Sequence, residues 1–347
     1  MQEHGGSAQY QLEGTVIDFS VNINPYGPSV NMKQAIANCS YHEYPDPNYR
    51  NLKKIIAEKY ACQLAEIHVG NGAAEIFWTI VRMSGKSQAF MLTPSFSEFP
   101  NAVKALNGNV DELPCRPEDQ FTVDFHSLGE RLRSKHYDLA YFCVPNSPTG
   151  MYMDALTLKE LALENPKTIF VIDYAFIQFS RHSNDQYYQF PKNVIRVYSL
   201  TKEHAIPGIR IGFAISSQDL IQRLNSQVNT WNVNCFAAQA GHTALSDEDF
   251  VKESIQQISR DKNYLRRQLD RMGATYFTSD APYFLIRTVI PADEVVTLLL
   301  QKGILVRSCA SYGLQDWIRV FPRPLSDSSK LIHFLGTLLE NHHDTEY

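Results

Sequence analysis

The 347-residue chain is too long for one hydrophobic core, since single cores seldom grow beyond ~250–300 residues, so two lobes are expected. Its formal net charge of −5 and scattered basic residues leave no stripe for a polyanion, which excludes nucleic acid as an expected partner. No apolar run approaches the ~18 residues of a membrane span, and the opening Gln2-Glu3-His4 into Gly5-Gly6-Ser7 is polar, so neither secretion nor membrane association is expected.

In chain order, the first chemical signal is Val69-Gly-Asn-Gly-Ala-Ala-Glu75, ahead of the apolar run Ile76 to Val81. Glycines that open a helix let backbone N–H groups close on a phosphate, aided by the positive end of the helix dipole. Ala89 to Leu92 then reads as a buried strand. Leu139 to Val144 reads as another, and it ends on Pro145-Asn-Ser-Pro-Thr-Gly150, which puts the hydrogen-bonding Asn146 and Ser147 in a turn at a strand end. Thr168 to Ile172 ends on Asp173 and Tyr174-Ala-Phe176. Open α/β folds place ligand groups at the C-terminal ends of such strands. Val194 to Tyr198 leads into Ser199-Leu-Thr-Lys202, with Arg210 after Ala205-Ile-Pro-Gly208. A buried lysine amine can condense with an aldehyde as a Schiff base, while the hydroxyls of Ser199 and Thr201 and the fork of Arg210 grip a phosphate on the same molecule. Alone, a Ser-x-Thr-Lys string is commonly a polar turn after a strand. Its convergence with the other strand-end features points instead to a covalently held, phosphorylated cofactor.

From Phe250 to Met272, Val251, Ile255, Ile258, Leu265, Leu269 and Met272 recur at helix spacing, and Gly273 follows as a C-terminal cap. This stripe reads as core and receives no chemical role. Strand-like runs Tyr283 to Arg287, Gly303 to Val306 and Trp317 to Val320 predict a small domain that the N-terminal segment folds back to join. Strands alternating with helical stretches predict a mainly parallel sheet covered on both faces.

The set Gly70-Asn-Gly-Ala-Ala-Glu75, Pro145-Asn-Ser-Pro-Thr-Gly150, Asp173 and Ser199-Leu-Thr-Lys202 through Arg210 resembles the fold-type-I pyridoxal-phosphate enzymes of the aspartate aminotransferase superfamily, over nearly the whole chain. Two groups within it compete: histidinol-phosphate aminotransferases and the threonine-phosphate decarboxylases of the cobalamin pathway. Asp18-Phe-Ser-Val-Asn-Ile-Asn-Pro25, the Ala-Ala-Glu75 ending and Val306-Arg-Ser-Cys-Ala-Ser-Tyr-Gly-Leu314 are more similar to the decarboxylases. The resemblance implies an α/β fold of the aspartate aminotransferase-like, three-layer αβα kind. A large domain over residues 40–250 would carry a mainly parallel seven-stranded sheet, and residues 1–39 with 251–347 would form the N-terminal segment and a small α/β domain.

The resemblance also implies roles, residue by residue. Lys202 would carry the pyridoxal 5'-phosphate and then move protons; Asp173 would pair with the protonated pyridine nitrogen, whose pKa an adjacent opposite charge raises by roughly 1–3 units. Gly72, Ala73, Ala74, Ser199, Thr201 and Arg210 would hold the phosphate, Phe96 would stack on the ring, and Tyr44, in Tyr44-Pro-Asp-Pro47, would reach the phosphate of a neighbouring subunit, which makes the enzyme a homodimer with shared sites. Arg319 matches the position that binds a substrate carboxylate and Arg307 the one that binds a substrate phosphate in both groups; Asn24 and Tyr26 would close over the substrate, and Arg323 is a further candidate. A lone arginine is more often a surface charge, but Arg307 and Arg319 sit at apolar strand ends.

Two positions depart from the superfamily pattern. Ser147 stands where an asparagine normally hydrogen-bonds the cofactor's ring oxygen, a role that Asn146 is then expected to share. Phe176 stands where histidinol-phosphate aminotransferases usually carry a tyrosine, which agrees better with the decarboxylases. Cys39, Cys62, Cys115, Cys143, Cys235 and Cys309 form no C-x-x-C pair and predict the reduced thiols of a cytoplasmic protein. The histidines lack metal spacing, so no metal site is expected, and His342-His343 reads as solvated. The expected activity is decarboxylation of a small phosphorylated amino acid, L-threonine O-3-phosphate, with an aminotransferase as the alternative. A ligand-binding regulator on the same fold would need a DNA-binding domain ahead of Asp18, where none is expected.

Overall fold

The computed structural model describes residues 5–7, 15–278 and 280–343. The opening Gln2 to His4 lies outside them, as do the side chains of His342 and His343. In chain order the elements are β1 (Ile17–Asp18), α1 (Val30–Ala37), α2 (Arg50–Tyr60), β2 (Ile67–Gly70), α3 (Gly72–Ser84), β3 (Gln88–Thr93), α4 (Glu98–Ala105), β4 (Asn109–Pro114), α5 (Phe125–Ser134), β5 (Leu139–Cys143), α6 (Ala155–Glu164), β6 (Ile169–Asp173), β7 (Val194–Ser199) and β8 (Gly212–Ile215). They continue with α7 (Gln218–Asn225), α8 (Cys235–Ser246), α9 (Glu248–Arg271), β9 (Tyr276–Thr278), β10 (Phe284–Arg287), α10 (Ala292–Leu300), β11 (Ile304–Leu305), β12 (Arg307–Ser308), β13 (Trp317–Val320) and α11 (Leu325–His343).

Seven strands form one sheet in the order β2-β8-β7-β6-β5-β3-β4. The pairs β3/β4, β3/β5, β5/β6 and β6/β7 are parallel, and β8 alone runs against its neighbours β7 and β2. Because side chains alternate along a strand, each apolar strand feeds two cores. Phe90, Leu92, Ala140, Phe142, Phe170 and Ile172 face one side, where α2, α5, α6 and α8 supply Leu52, Leu128, Leu158 and Ala240. Ala89, Met91, Leu139, Tyr141 and Val171 face the other, against Ile76, Phe77, Phe99 and Leu220 of α3, α4 and α7. The result is a three-layer αβα sandwich, the layering expected from the sequence.

A second, four-stranded sheet has the order β12-β13-β10-β9. Its core joins both chain ends: Phe19 packs with Leu265 and Leu269 of α9, Val295 and Leu299 of α10, and Leu331 and Leu335 of α11. β1 pairs in parallel with β11, Ile17 opposite Ile304, which pins the N-terminal segment beside this sheet. α9 ends as its sequence predicts, with Gly273 at φ +63° after the last turn. Met32 of α1, within the stretch expected to go with the smaller part, packs in the core of the seven-stranded sheet. None of the described helices is long and apolar enough to cross a membrane, and the six cysteines are unpaired.

Candidate active site

Four backbone ends meet at the C-terminal edge of the parallel strands. β2 stops at Gly70 just before α3 begins at Gly72, β5 runs out toward Ser147, β6 ends on Asp173, and β7 ends on Ser199 shortly before Lys202. With Asn22 and Ile23 of the N-terminal segment, Arg307 and Arg319 of the smaller sheet, and Tyr312 of the turn between those two strands, they line a cleft of about 320 Å³. A larger surface groove of about 970 Å³ passes Asn193, Ile215 and Arg223 at the opposite edge of the sheet and contains none of the residues predicted for the site.

One part of the cleft is built for an anion. The Asn71 side chain makes no capping bond at the start of α3, and Glu75 reaches back only to the Asn71 N–H at 2.6 Å, so the N–H groups of the cleft-lining Ala73 and Ala74 are open to a ligand. Gly72 sits at φ +81°, and a Cβ there would lie 2.6 Å from Arg210 Nη2, so glycine is what lets the guanidinium seat against the helix start. A Cβ on Gly212 would lie 3.0 Å from Ala73 N, which shows how tightly β8 presses on the same turn. Arg210 is anchored by Nη1 donating to the Pro207 carbonyl at 2.9 Å. The buried hydroxyls of Ser199 and Thr201 lie 2.8 Å apart. Helix N–H groups, two hydroxyls and one guanidinium are a donor set suited to a phosphate.

Asp173 is 3% exposed; its Oδ1 accepts from the Ala175 N–H and its Oδ2 from the Tyr141 hydroxyl, each at 2.9 Å. Burial pushes its carboxyl pKa up, while those donors, the Cys143 thiol and the charge of Lys202 pull it back down. Burial pushes the Lys202 amine down, and Arg210 acts in the same direction against the opposing Asp173 and Glu203. An amine depressed in this way presents more of the free base that a nucleophile and proton carrier needs.

Arg307 and Arg319 are directly opposite each other on β12 and β13, so both side chains leave the sheet on one face. Arg319 donates from Nη1 to Ser147 Oγ at 3.1 Å and from Nη2 to the Ser20 carbonyl at 3.0 Å, while its buried Nε has no hydrogen-bond partner among the described residues. Arg307 donates to the Ser308 carbonyl at 2.7 Å and to Ser311 Oγ at 2.8 Å, its guanidinium 5.5 Å from the centre of the Tyr312 ring. Phe96 and Phe176 line the same cleft, Phe176 edge-on to Tyr283.

Other predicted residues fall elsewhere. Asn146 commits both amide protons, to the Pro94 carbonyl and Thr149 Oγ1, and accepts from Ser95, so only its neighbour Ser147 faces the cleft. Asn24 does not close over the cleft: its N–H donates to the Lys202 carbonyl at 2.9 Å and its Nδ2 to the Glu203 carbonyl at 2.8 Å, which fixes the lysine loop from behind. The Tyr26 hydroxyl bonds Asp261 of α9. Arg323 is drawn away by Asp327 and the Asp18 carbonyl. Tyr44 is 81% exposed, stacked on Trp231 at 4.5 Å, and does not line the cleft of its own chain. Sequence reasoning missed Asn22, whose buried Oδ1 has no partner among the described residues, and Tyr312. Both lie in stretches already singled out by motif, but which asparagine faces the cleft depends on the Asn24 bond to the lysine loop.

Residues 14–338 match the family model of aminotransferase class I and II. The chain is 31% identical to histidinol-phosphate aminotransferase 2 of Carboxydothermus hydrogenoformans over 89% of this chain and 86% of that protein. It is 32% identical to a protein of Caldanaerobacter subterraneus subsp. tengcongensis provisionally named threonine-phosphate decarboxylase, over 97% of this chain and 94% of that one. Its fold superposes with a TM-score of 0.84 on a histidinol-phosphate aminotransferase of Sinorhizobium meliloti solved in complex with pyridoxal-5'-phosphate, at 22% identity over 93% of this chain and 90% of that one. A match over nearly the whole length, on a three-layer fold with a lysine, an aspartate and a cluster of hydrogen-bond donors lining one cleft, places the chain in the aminotransferase class I and II family.

Proposed function

We propose that this chain is a pyridoxal-phosphate-dependent carboxy-lyase that converts L-threonine O-3-phosphate to (R)-1-amino-2-propanol O-2-phosphate, a cobalamin precursor. The cofactor of the enzyme is pyridoxal 5'-phosphate, and the residues present fit it: the glycine cradle under Arg210 and the start of α3 suit its phosphate, and the buried Asp173 suits its ring nitrogen. When bound, pyridoxal phosphate supplies an electron sink conjugated to the substrate's Cα. Ala73, Ala74, Ser199, Thr201 and Arg210 would hold its phosphate, with Phe96 against the ring and Ser147 within reach of the ring oxygen. Asp173 would supply the negative charge that pairs with the ring nitrogen. Lys202, with its lowered pKa, accepts a proton and returns it to the carbon left by the departing group. A second copy of the chain would bring its exposed Tyr44 to the phosphate.

The observation that carries the substrate reading is the pair of buried guanidiniums at one register level, Arg307 opposite Arg319. L-threonine O-3-phosphate offers both a phosphate and a carboxylate to them. Histidinol phosphate carries no carboxylate and would leave one guanidinium without an anion until the keto acid of the second half-reaction binds, and Phe176 lacks the hydroxyl expected of the aminotransferases. The similarity to histidinol-phosphate aminotransferase 2 favours the second reading, transamination. Carboxyl-labelled L-threonine O-3-phosphate, incubated with the cofactor-loaded protein and no keto acid, is expected to release labelled carbon dioxide over many turnovers. No release, with the cofactor left in its amine form until a keto acid is added, would establish the aminotransferase instead.

A further inference from the structure

We propose that Tyr141 is a positioning residue of this site, its hydroxyl holding the Asp173 carboxylate aimed at the cofactor's ring nitrogen; the proposal rests on the pyridoxal-phosphate reading above. β5 is otherwise the apolar string Leu139-Ala-Tyr-Phe-Cys143, fully buried along its length. A phenol placed there must find a hydrogen-bond partner or lose solvation without return. Packing leaves it one direction: the ring stacks on Phe99 at 4.6 Å and 13°, and Phe77 meets it edge-on at 5.6 Å and 90°. Registered opposite Val171 on β6, it lies within reach of the strand's last residue, and its hydroxyl donates to Asp173 Oδ2 at 2.9 Å. A phenylalanine would fill the same space between Phe77 and Phe99, so the hydroxyl itself is the feature that packing does not require.

The groups facing Asp173 are the Tyr141 hydroxyl and the Cys143 thiol from β5, the Ala175 N–H beyond β6, and Lys202 beyond β7. Burial works to keep this carboxyl protonated, and a protonated acid cannot pair with a pyridinium. Without the phenol, the Ala175 N–H would still serve Oδ1, but the remaining side-chain donor would be a thiol, which is weak. Tyr141 therefore acts through Asp173 rather than by touching substrate.

The test is Tyr141→Phe in the full-length holoenzyme, read by absorbance titration with pyridoxal phosphate and by the pH dependence of the bound cofactor's spectrum. We expect the cofactor dissociation constant to rise about tenfold, the size of a lost hydrogen bond to a charged group, and the spectral transition to move. In an Asp173→Asn background the same substitution should change neither readout further. Wild-type affinity and an unmoved spectrum in Tyr141→Phe, or an equal loss in the Asp173→Asn background, would overturn the proposal while wild-type binding keeps the cofactor reading. Wild-type protein that takes up no pyridoxal phosphate would overturn that reading and the proposal together.

Discussion

At the scale of single residues, the site runs on groups whose burial conflicts with their charge. Replacing Lys202 by alanine removes the proton carrier, and turnover is expected to fall by at least about 10²–10⁴-fold, measured as product per enzyme with cofactor in excess. Arg319→Lys keeps the charge but loses the planar fork, and kcat/KM is expected to drop roughly 10–100-fold, mostly through KM. Glu203, 3% exposed and next to Lys202, makes a pH prediction: burial raises its carboxyl from 4.5 to about 8. Between those values the folded state binds a proton that the unfolded state has released, so stability from this group falls as pH rises through the window and levels off above it. Glu203→Gln should therefore gain in melting temperature over wild type on going from pH 5 to pH 8.5; a constant difference would reject that assignment. Lys202 and Arg319 were legible in sequence from the motifs around them, whereas Glu203 carried no signal apart from its place beside Lys202. Asn22 was not legible, since two asparagines two positions apart in one loop carry no sign of which faces inward.

At the scale of elements, the decisive contact is α3 against β8. Gly72→Ala would place a methyl group 2.6 Å from Arg210 Nη2 on a residue at φ +81°, so it displaces the guanidinium and strains the turn together. Pyridoxal-phosphate affinity is expected to fall about tenfold or more by absorbance titration, since a charge-assisted contact is lost. The long amphipathic helix α9 and strands β3, β5, β6 and β7 were readable because their apolar periodicity is strong and local. β4, Asn109–Pro114, was not: it lies at the sheet edge, half exposed, and only Val110 and Leu113 give it apolar character. β8 was also missed, because it is short and follows directly on the Arg210 turn whose chemistry dominates the reading.

At the scale of the whole molecule, the cleft lies between the seven-stranded sheet and the smaller one, so both the N-terminal segment and the smaller sheet must be in place before Arg307 and Arg319 share the cleft with Lys202 and Arg210. If Tyr44 serves a second copy, then Tyr44→Ala chains and Lys202→Ala chains, refolded together, should regain activity that neither has alone. Mixed dimers then contain one intact site, for a recovery of about a quarter of the wild-type level in an equal mixture. No recovery on mixing would assign Tyr44 to its own chain.

The amino-acid sequence by itself determined the layers of the fold and the cofactor class, and it singled out the lysine, the aspartate and the polar strand-end residues that the structure brings to one cleft, because residue types at strand ends and periodicity within strands are local properties. Tertiary structure alone decided which side chains converge. Arg307 and Arg319 share a face only through the β12–β13 register, Arg323 is turned away by the Asp18 carbonyl, and Ser147 rather than Asn146 faces the cleft because Ser95, Pro94 and Thr149 hold the asparagine. The physical reason is the same in each case: side-chain direction follows from strand pairing and long-range hydrogen bonds, which no window of neighbouring residues contains.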